Sequence, residues 1–116
     1  MLNLAGNLKI YLAVEPADMR KGFTGLWALT VNVLKEDPTD GALFAFTNYR
    51  KNRVKLLYWD GTGMWLMTKR LEQGTFAWPT GVEVADGKLC LRPEALALLL
   101  DGVDLRGGNL RPWYQR

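Results

Sequence analysis

The 116-residue chain has 48% hydrophobic and 23% charged residues, the proportions of one folded globular domain and not of a disordered or fibrous polypeptide. Lys and Arg number 15 against 12 Asp and Glu, a formal charge of +3, and the complete lack of histidine excludes Ser-His and Cys-His nucleophile pairs and histidine-containing zinc sites. A single cysteine, Cys90, excludes an internal disulfide and paired-cysteine metal sites, and no apolar run reaches the roughly 20 residues of a membrane helix.

Met1 to Glu15 has neither a charged n-region nor a small-residue cleavage site, so the cytoplasm is the expected location, with no membrane partner. Lys9 to Val14 is apolar, aromatic and β-branched between Gly6-Asn7 and Pro16, and predicts a first strand. From Asp18 the residues Met19, Phe23, Leu26, Trp27, Thr30, Val31 and Leu34 recur at three- and four-residue steps. They predict an amphipathic helix over about 18–35, capped by Asp18 and stopped by Asp37-Pro38. Gly22 and Gly25 inside it each cost about 1 kcal/mol relative to alanine, which suggests close packing against a strand or a partner.

Ala42 to Phe46 predicts a second strand. Arg53 to Trp59 and Met64 to Arg70 flank Asp60-Gly61-Thr62-Gly63, the signal of a hairpin. With a four-residue loop, Trp59 faces Met64, Leu57 faces Leu66, Lys55 faces Thr68 and Arg53 faces Arg70. Gly74 to Pro79 predicts a short extended piece and Lys88 to Leu91 one more strand, in which Cys90 serves as a small buried hydrophobe. Pro93 to Leu100 predicts a helix, over about 93–101, with Pro93 in its first turn and Gly102 just past its end. Residues 105–116, with three arginines and no acid, are expected to form a basic, mobile tail on a single domain spanning 1–104.

These elements predict an α+β fold: a mainly antiparallel sheet built around the 53–70 hairpin, covered in part by two helices. The expected core includes Tyr11, Phe23, Leu26, Leu43, Phe44, Leu56, Tyr58, Trp65, Leu96 and Leu99.

Chemistry is harder to find. The carboxylates Asp18, Asp60, Glu72, Asp86, Asp101 and Asp104 fall mainly at turns and element ends, where caps and turns account for most of them. Neither GxxxxGK[ST] nor GxGxxG occurs, so no nucleotide, metal or other cofactor is expected, nor is an enzyme. What stands out is Arg50-Lys51-Asn52-Arg53-Val54-Lys55, four cations in six residues inside an acid-free stretch from Gly41 to Trp59. The hairpin register adds Arg70, and two arginines directly opposite repel unless an anion lies between them, which suggests that Arg53, Lys55 and Arg70 share a phosphate or an acidic partner. Two readings fit: contact with phosphates, or a solvated strand edge whose cations prevent edge-to-edge pairing. Arg20 and Lys21, in the first turn of the first helix, invite a bound phosphate, though Asp18 is placed to neutralise them. Trp113 and Tyr114, in the tail, are free to bind a partner.

Asp18-Met19-Arg20-Lys21-Gly22-Phe23, Tyr58-Trp59-Asp60-Gly61, and Lys69-Arg70-Leu71-Glu72 with Gly74, Phe76, Trp78 and Pro79 together resemble one family. It is that of the Orf2-like accessory proteins, also called TnpB, of the insertion-sequence class numbered sixty-six, and the match runs from about Leu12 to Asp104. Two departures stand out: Arg92 precedes Pro93 where the family more often has a small hydroxyl cap, and the basic stretch holds fewer arginines than in many relatives. The resemblance implies a small protein that assists a separate transposase and is encoded beside a companion accessory protein. On this view Arg50, Lys51, Arg53, Lys55, Lys69 and Arg70, with Arg20 and Lys21, touch DNA phosphates without catalysis. Alternatively, the same strip, or Trp113 and Tyr114, grips the transposase or the companion protein and DNA is never touched.

Overall fold

The computed structural model describes residues 8–79, 84–102 and 114–115. Its strands are β1 (Ile10–Ala13), β2 (Leu43–Thr47), β3 (Arg53–Trp59), β4 (Met64–Arg70), β5 (Lys88–Leu91) and β6 (Tyr114–Gln115), with helices α1 (Phe23–Asn32) and α2 (Pro93–Leu100). They build an α+β fold around one sheet of order β4-β3-β2-β1-β5-β6. β1 and β2 are parallel and every other neighbouring pair is antiparallel. Parallel neighbours need a crossover, and α1 supplies it between β1 and β2.

All five residues of β2 are buried, as expected of a central strand covered on both faces. On one face Leu12, Leu43, Ala45 and Leu56 pack with Phe76, Trp78 and, from α2, Ala95, Leu96 and Leu99. On the other, Phe44, Phe46 and Leu57 pack with Leu26 and Leu34 from α1 and the residues just after it. The sheet is thus the middle of three layers. Trp78 ties the segment after β4 to β1, its indole Nε1 donating to the Ala13 carbonyl at 2.8 Å in a buried setting.

The hairpin has the register expected from its turn, with Arg53 opposite Arg70, Lys55 opposite Thr68, Leu57 opposite Leu66 and Trp59 opposite Met64. It lies at one end of the sheet and not at its middle, so β4 is an edge strand. Its loop is held by Asp60, whose Oδ1 accepts from Thr62 N, Thr62 Oγ1 and Gly63 N at 2.8–2.9 Å while Oδ2 accepts from Trp65 Nε1 at 2.8 Å. These donors hold the Asp60 carboxyl well below the usual carboxylate range.

The first helix is shorter than its periodicity suggests. It begins at Phe23, with Gly22 as N-cap and no side-chain cap, and ends at Asn32. Asp18 is spent elsewhere: its Oδ1 accepts from Arg20 N (2.9 Å) and Nε, and its Oδ2 from Arg20 Nη2 (2.7 Å). Arg20 and Lys21 therefore precede the helix. A Cβ at Gly22 would meet nothing within 4 Å, and one at Gly25 would come within 2.9 Å of the Lys21 side chain, so neither glycine answers to a strand.

Of the expected core, Leu26, Leu43, Phe44, Leu56, Leu96 and Leu99 are buried. Tyr11 and Tyr58 are half-buried, with Tyr11 stacked on Phe44 at 5.6 Å between ring centroids. Phe23 and Trp65 depart from expectation at 52% and 49% exposure. Cys90 is half-buried and burial pushes its thiol up. In the tail, the backbone of Tyr114–Gln115 pairs with Cys90 and Leu91. Residues 105–113 and 116, Trp113 among them, and the side chains of Tyr114 and Gln115 lie outside the described residues, so the expectation of a mobile tail does too.

Candidate nucleic-acid interface

Side chains directly opposite one another across a β-ladder share a face, and faces alternate along a strand. Because Leu57 and Leu66 pack under α1, Arg53, Lys55, Thr68 and Arg70 also point to the α1 side. Val54 packs on the α2 side, and so does its partner Lys69. The eight cations expected to act together are thereby divided. Lys69 reaches the end of α2, its Nζ donating to the Leu100 carbonyl at 2.7 Å, where a cation complements the negative end of the helix.

Lys55 is likewise engaged, its Nζ donating to the Lys21 carbonyl at 2.8 Å. That bond fastens the segment entering α1 to β3. Lys88 does the same past the other end, donating to the Leu34 carbonyl at 2.5 Å and pairing with Glu36 at 3.0 Å. Arg20 is neutralised by Asp18, whose carboxyl the Arg20 hydrogen bonds lower to about 2.

Of the other five, Lys21 lies exposed at the entry to α1, and four remain near one another at the open end of the hairpin. Arg53 and Arg70 stand opposite each other, both exposed, and Arg50 and Lys51 lie in the turn that leads into β3. Arg70 approaches Glu72 at 3.6 Å, and among the described residues no carboxylate pairs with Arg50, Lys51 or Arg53.

The turn that carries them is braced from inside and outside. Lys51 N donates to the Asn48 carbonyl at 3.1 Å, and Lys51 takes the left-handed conformation (φ 59°). The Asn48 side chain fills the loop: Oδ1 accepts from Asn52 N (3.0 Å) and Arg53 N (3.1 Å), and Nδ2 donates to Asn52 Oδ1 (2.6 Å). From the segment after β4, Phe76 N donates to Lys51 O at 2.7 Å and Leu71 N to Asn52 O at 2.9 Å. At the tip Tyr49 is 86% exposed, between Asn48 and the first of the cations. Tyr49 is absent from the residues singled out by sequence, although an aromatic beside Arg50 and Lys51 in an otherwise polar stretch was a readable signal.

Among the described residues no three His, Cys, Asp or Glu side chains gather where a metal could be held, and no helix is long and apolar enough to cross a membrane. The geometry can present positive charge and one aromatic ring in fixed positions.

A family model described as IS66 Orf2 like protein matches residues 8–109. The chain belongs to the IS66 Orf2-like family. Its motifs Asp18 to Phe23 and Tyr58 to Gly61 thereby acquire a structural meaning: the first makes the Asp18–Arg20 clasp before α1, and the second enters the Asp60 loop. Two curated relatives come from Sinorhizobium fredii (strain NBRC 101917 / NGR234). "Uncharacterized protein y4jC" is 42% identical over 104 residues, covering 90% of this chain and 86% of that protein. "Uncharacterized protein y4hO" is 38% identical over 106 residues, covering 91% and 90%. No solved structure matches the chain. Membership of the IS66 Orf2-like family suggests an accessory protein of insertion-sequence transposition.

Proposed function

We propose that this protein assists a separate transposase, without catalysing a step itself, by holding DNA phosphates at the open end of the β3–β4 hairpin. The observation that carries the reading is the Arg53–Arg70 pair. Two guanidinium groups on facing β positions sit with Cβ atoms about 4.5–5.5 Å apart and repel, and an anion between them removes the repulsion. Arg50 and Lys51 extend the positive surface, and the Asn48 network braces the backbone of the turn that carries Arg50, Lys51 and Arg53 before any ligand arrives. Such contacts fix position on a duplex and carry little sequence information. Tyr49 adds a ring that can lie against a sugar or an unstacked base. In this reading the protein works in the cytoplasm, beside the element's DNA and its transposase.

The test is binding of the purified protein to the element's terminal DNA and to unrelated duplex of equal length, across salt. With three to four phosphates engaged, affinity falls about 100-fold between about 50 and about 200 mM salt. Replacing Arg50, Lys51, Arg53 and Arg70 together by Gln removes binding. The alternative is an adaptor that grips the transposase or the companion accessory protein through the same cations. It predicts no DNA binding at low salt and loss of a protein partner in the same variant.

A further inference from the structure

α1 carries no charged residue between Phe23 and Asn32. Its inner side gives Leu26 and Thr30 to the core, and its outer side is built of two neighbouring rows at four-residue spacing. One row is large: Phe23, Trp27 and Val31, at 52%, 39% and 41% exposure. The adjacent row is small or short: Thr24, Ala28 and Asn32, all exposed. A ridge of large side chains beside a groove of small ones is the surface that two helices use to interlock. Surface helices normally turn charge outward, so an outward face of this kind calls for a cover.

The two ends of α1 differ in charge. At its start Arg20, Lys21 and Lys55 outnumber Asp18, with Lys55 bonded to the Lys21 carbonyl. Past its end Glu36, Asp37, Asp40 and Asp86 outnumber Lys35 and Lys88. A twofold axis across the middle of α1 brings the positive end of one copy over the negative end of another, twice. It also sets the two helix dipoles antiparallel.

We infer that the outer face of α1 joins two copies of this chain. The Phe23, Trp27 and Val31 ridge of each copy lies in the Thr24, Ala28 and Asn32 groove of the other, and Lys21 faces Asp37 and Asp40 of the second copy. A foreign partner would not need opposite charges at both ends of the same helix in this chain, whereas a twofold pair does. A helix of ten residues is only about 15 Å long, so its face alone falls short of the roughly 800 Å² per partner of a standard interface. The charged flanks therefore take part, and the dimer is weak. The inference is independent of the DNA reading, because the hairpin end that holds Arg53 and Arg70 is not required by it.

Sedimentation equilibrium of the full chain, from about 1 µM to about 1 mM, reads the association directly. The expected result is a concentration-dependent monomer–dimer equilibrium that weakens about tenfold or more in Trp27→Glu and in Ala28→Arg. Both positions are exposed, and circular dichroism checks that each variant is folded. Lys21→Glu and Asp37→Lys each weaken the dimer, and the two together restore it. A monomer at every concentration overturns the inference, as does a dimer that folded Trp27→Glu and Ala28→Arg leave intact. A double charge reversal no better than either single one overturns the proposed pairing of the ends. A wild-type monomer that loses a transposase complex through Trp27→Glu assigns the face to a foreign partner instead.

Discussion

Arg53 and Arg70 face each other across the last rung of the β3–β4 ladder, on the side of the sheet that carries α1. Like charges placed this way destabilise a sheet by about 0.2–1 kcal/mol. Arg70→Gln should therefore make the protein slightly more stable at low salt while weakening DNA binding. Urea unfolding and a DNA titration on the same preparation give the two signs. The salt slope of binding should also become shallower by about one unit.

Lys69, one residue away, should behave in the opposite manner. Its ammonium lies on the α2 side and donates to the Leu100 carbonyl. Lys69→Met is expected to cost about 0.5–1 kcal/mol of stability and to leave DNA affinity unchanged. Equal losses of DNA affinity in Lys69→Met and Arg53→Gln would contradict the division of the cations between the two faces.

Asn48 offers a test of presentation without any change in charge. Removing its side chain deprives Asn52 N and Arg53 N of their acceptor and frees the turn that positions Arg50 and Lys51. Asn48→Ala should lower stability by about 1–2 kcal/mol and weaken DNA binding several-fold with the same salt slope. A shallower slope would mean that phosphate contacts, and not their pre-arrangement, had been lost.

The Asp60 loop gives a pH dependence whose sign follows from its donors. The folded state holds this carboxyl below its ordinary value of 3.8, so the folded form favours the ionised group. The stability it contributes is fully present above the unfolded pKa and is lost as pH falls through about 4 and below. Asp18, held at about 2 by Arg20, acts with the same sign in the same window. Thermal unfolding of wild type and Asp60→Asn should differ most near pH 7 and converge toward pH 2. The Trp65 indole, bonded to Asp60, provides a fluorescence readout of the loop.

Local pairing and wider placement differ in how openly the residues state them. The hairpin and its register were readable because Asp60 and Gly63 fix a four-residue loop, and alternation then sets every pair from Trp59–Met64 to Arg53–Arg70. The same alternation placed Lys69 opposite Val54, yet nearness in sequence grouped it with Arg70. Asp18 has the chemistry of a cap and so points to an earlier start for α1, and only the fold shows its carboxylate committed to Arg20. Phe23, Trp27 and Val31 match the helical period as well as Leu26 and Thr30 do, and periodicity alone does not say how much of an apolar stripe the sheet covers. The parallel β1–β2 pair was implicit in an apolar run, a helix and a second apolar run, the pattern of a crossover.

The two lysine bonds at the ends of α1 join residues 34 and 54 positions apart in the chain, Lys55 to Lys21 and Lys88 to Leu34. During synthesis the helix segment emerges well before either lysine. Its second fastening cannot form until residue 88 has left the ribosome, by which time all of β1 to β4 is already available. A fragment that ends before β5 would hold α1 at one end only, so the second fastening of this helix waits on the translation of a strand more than fifty residues downstream.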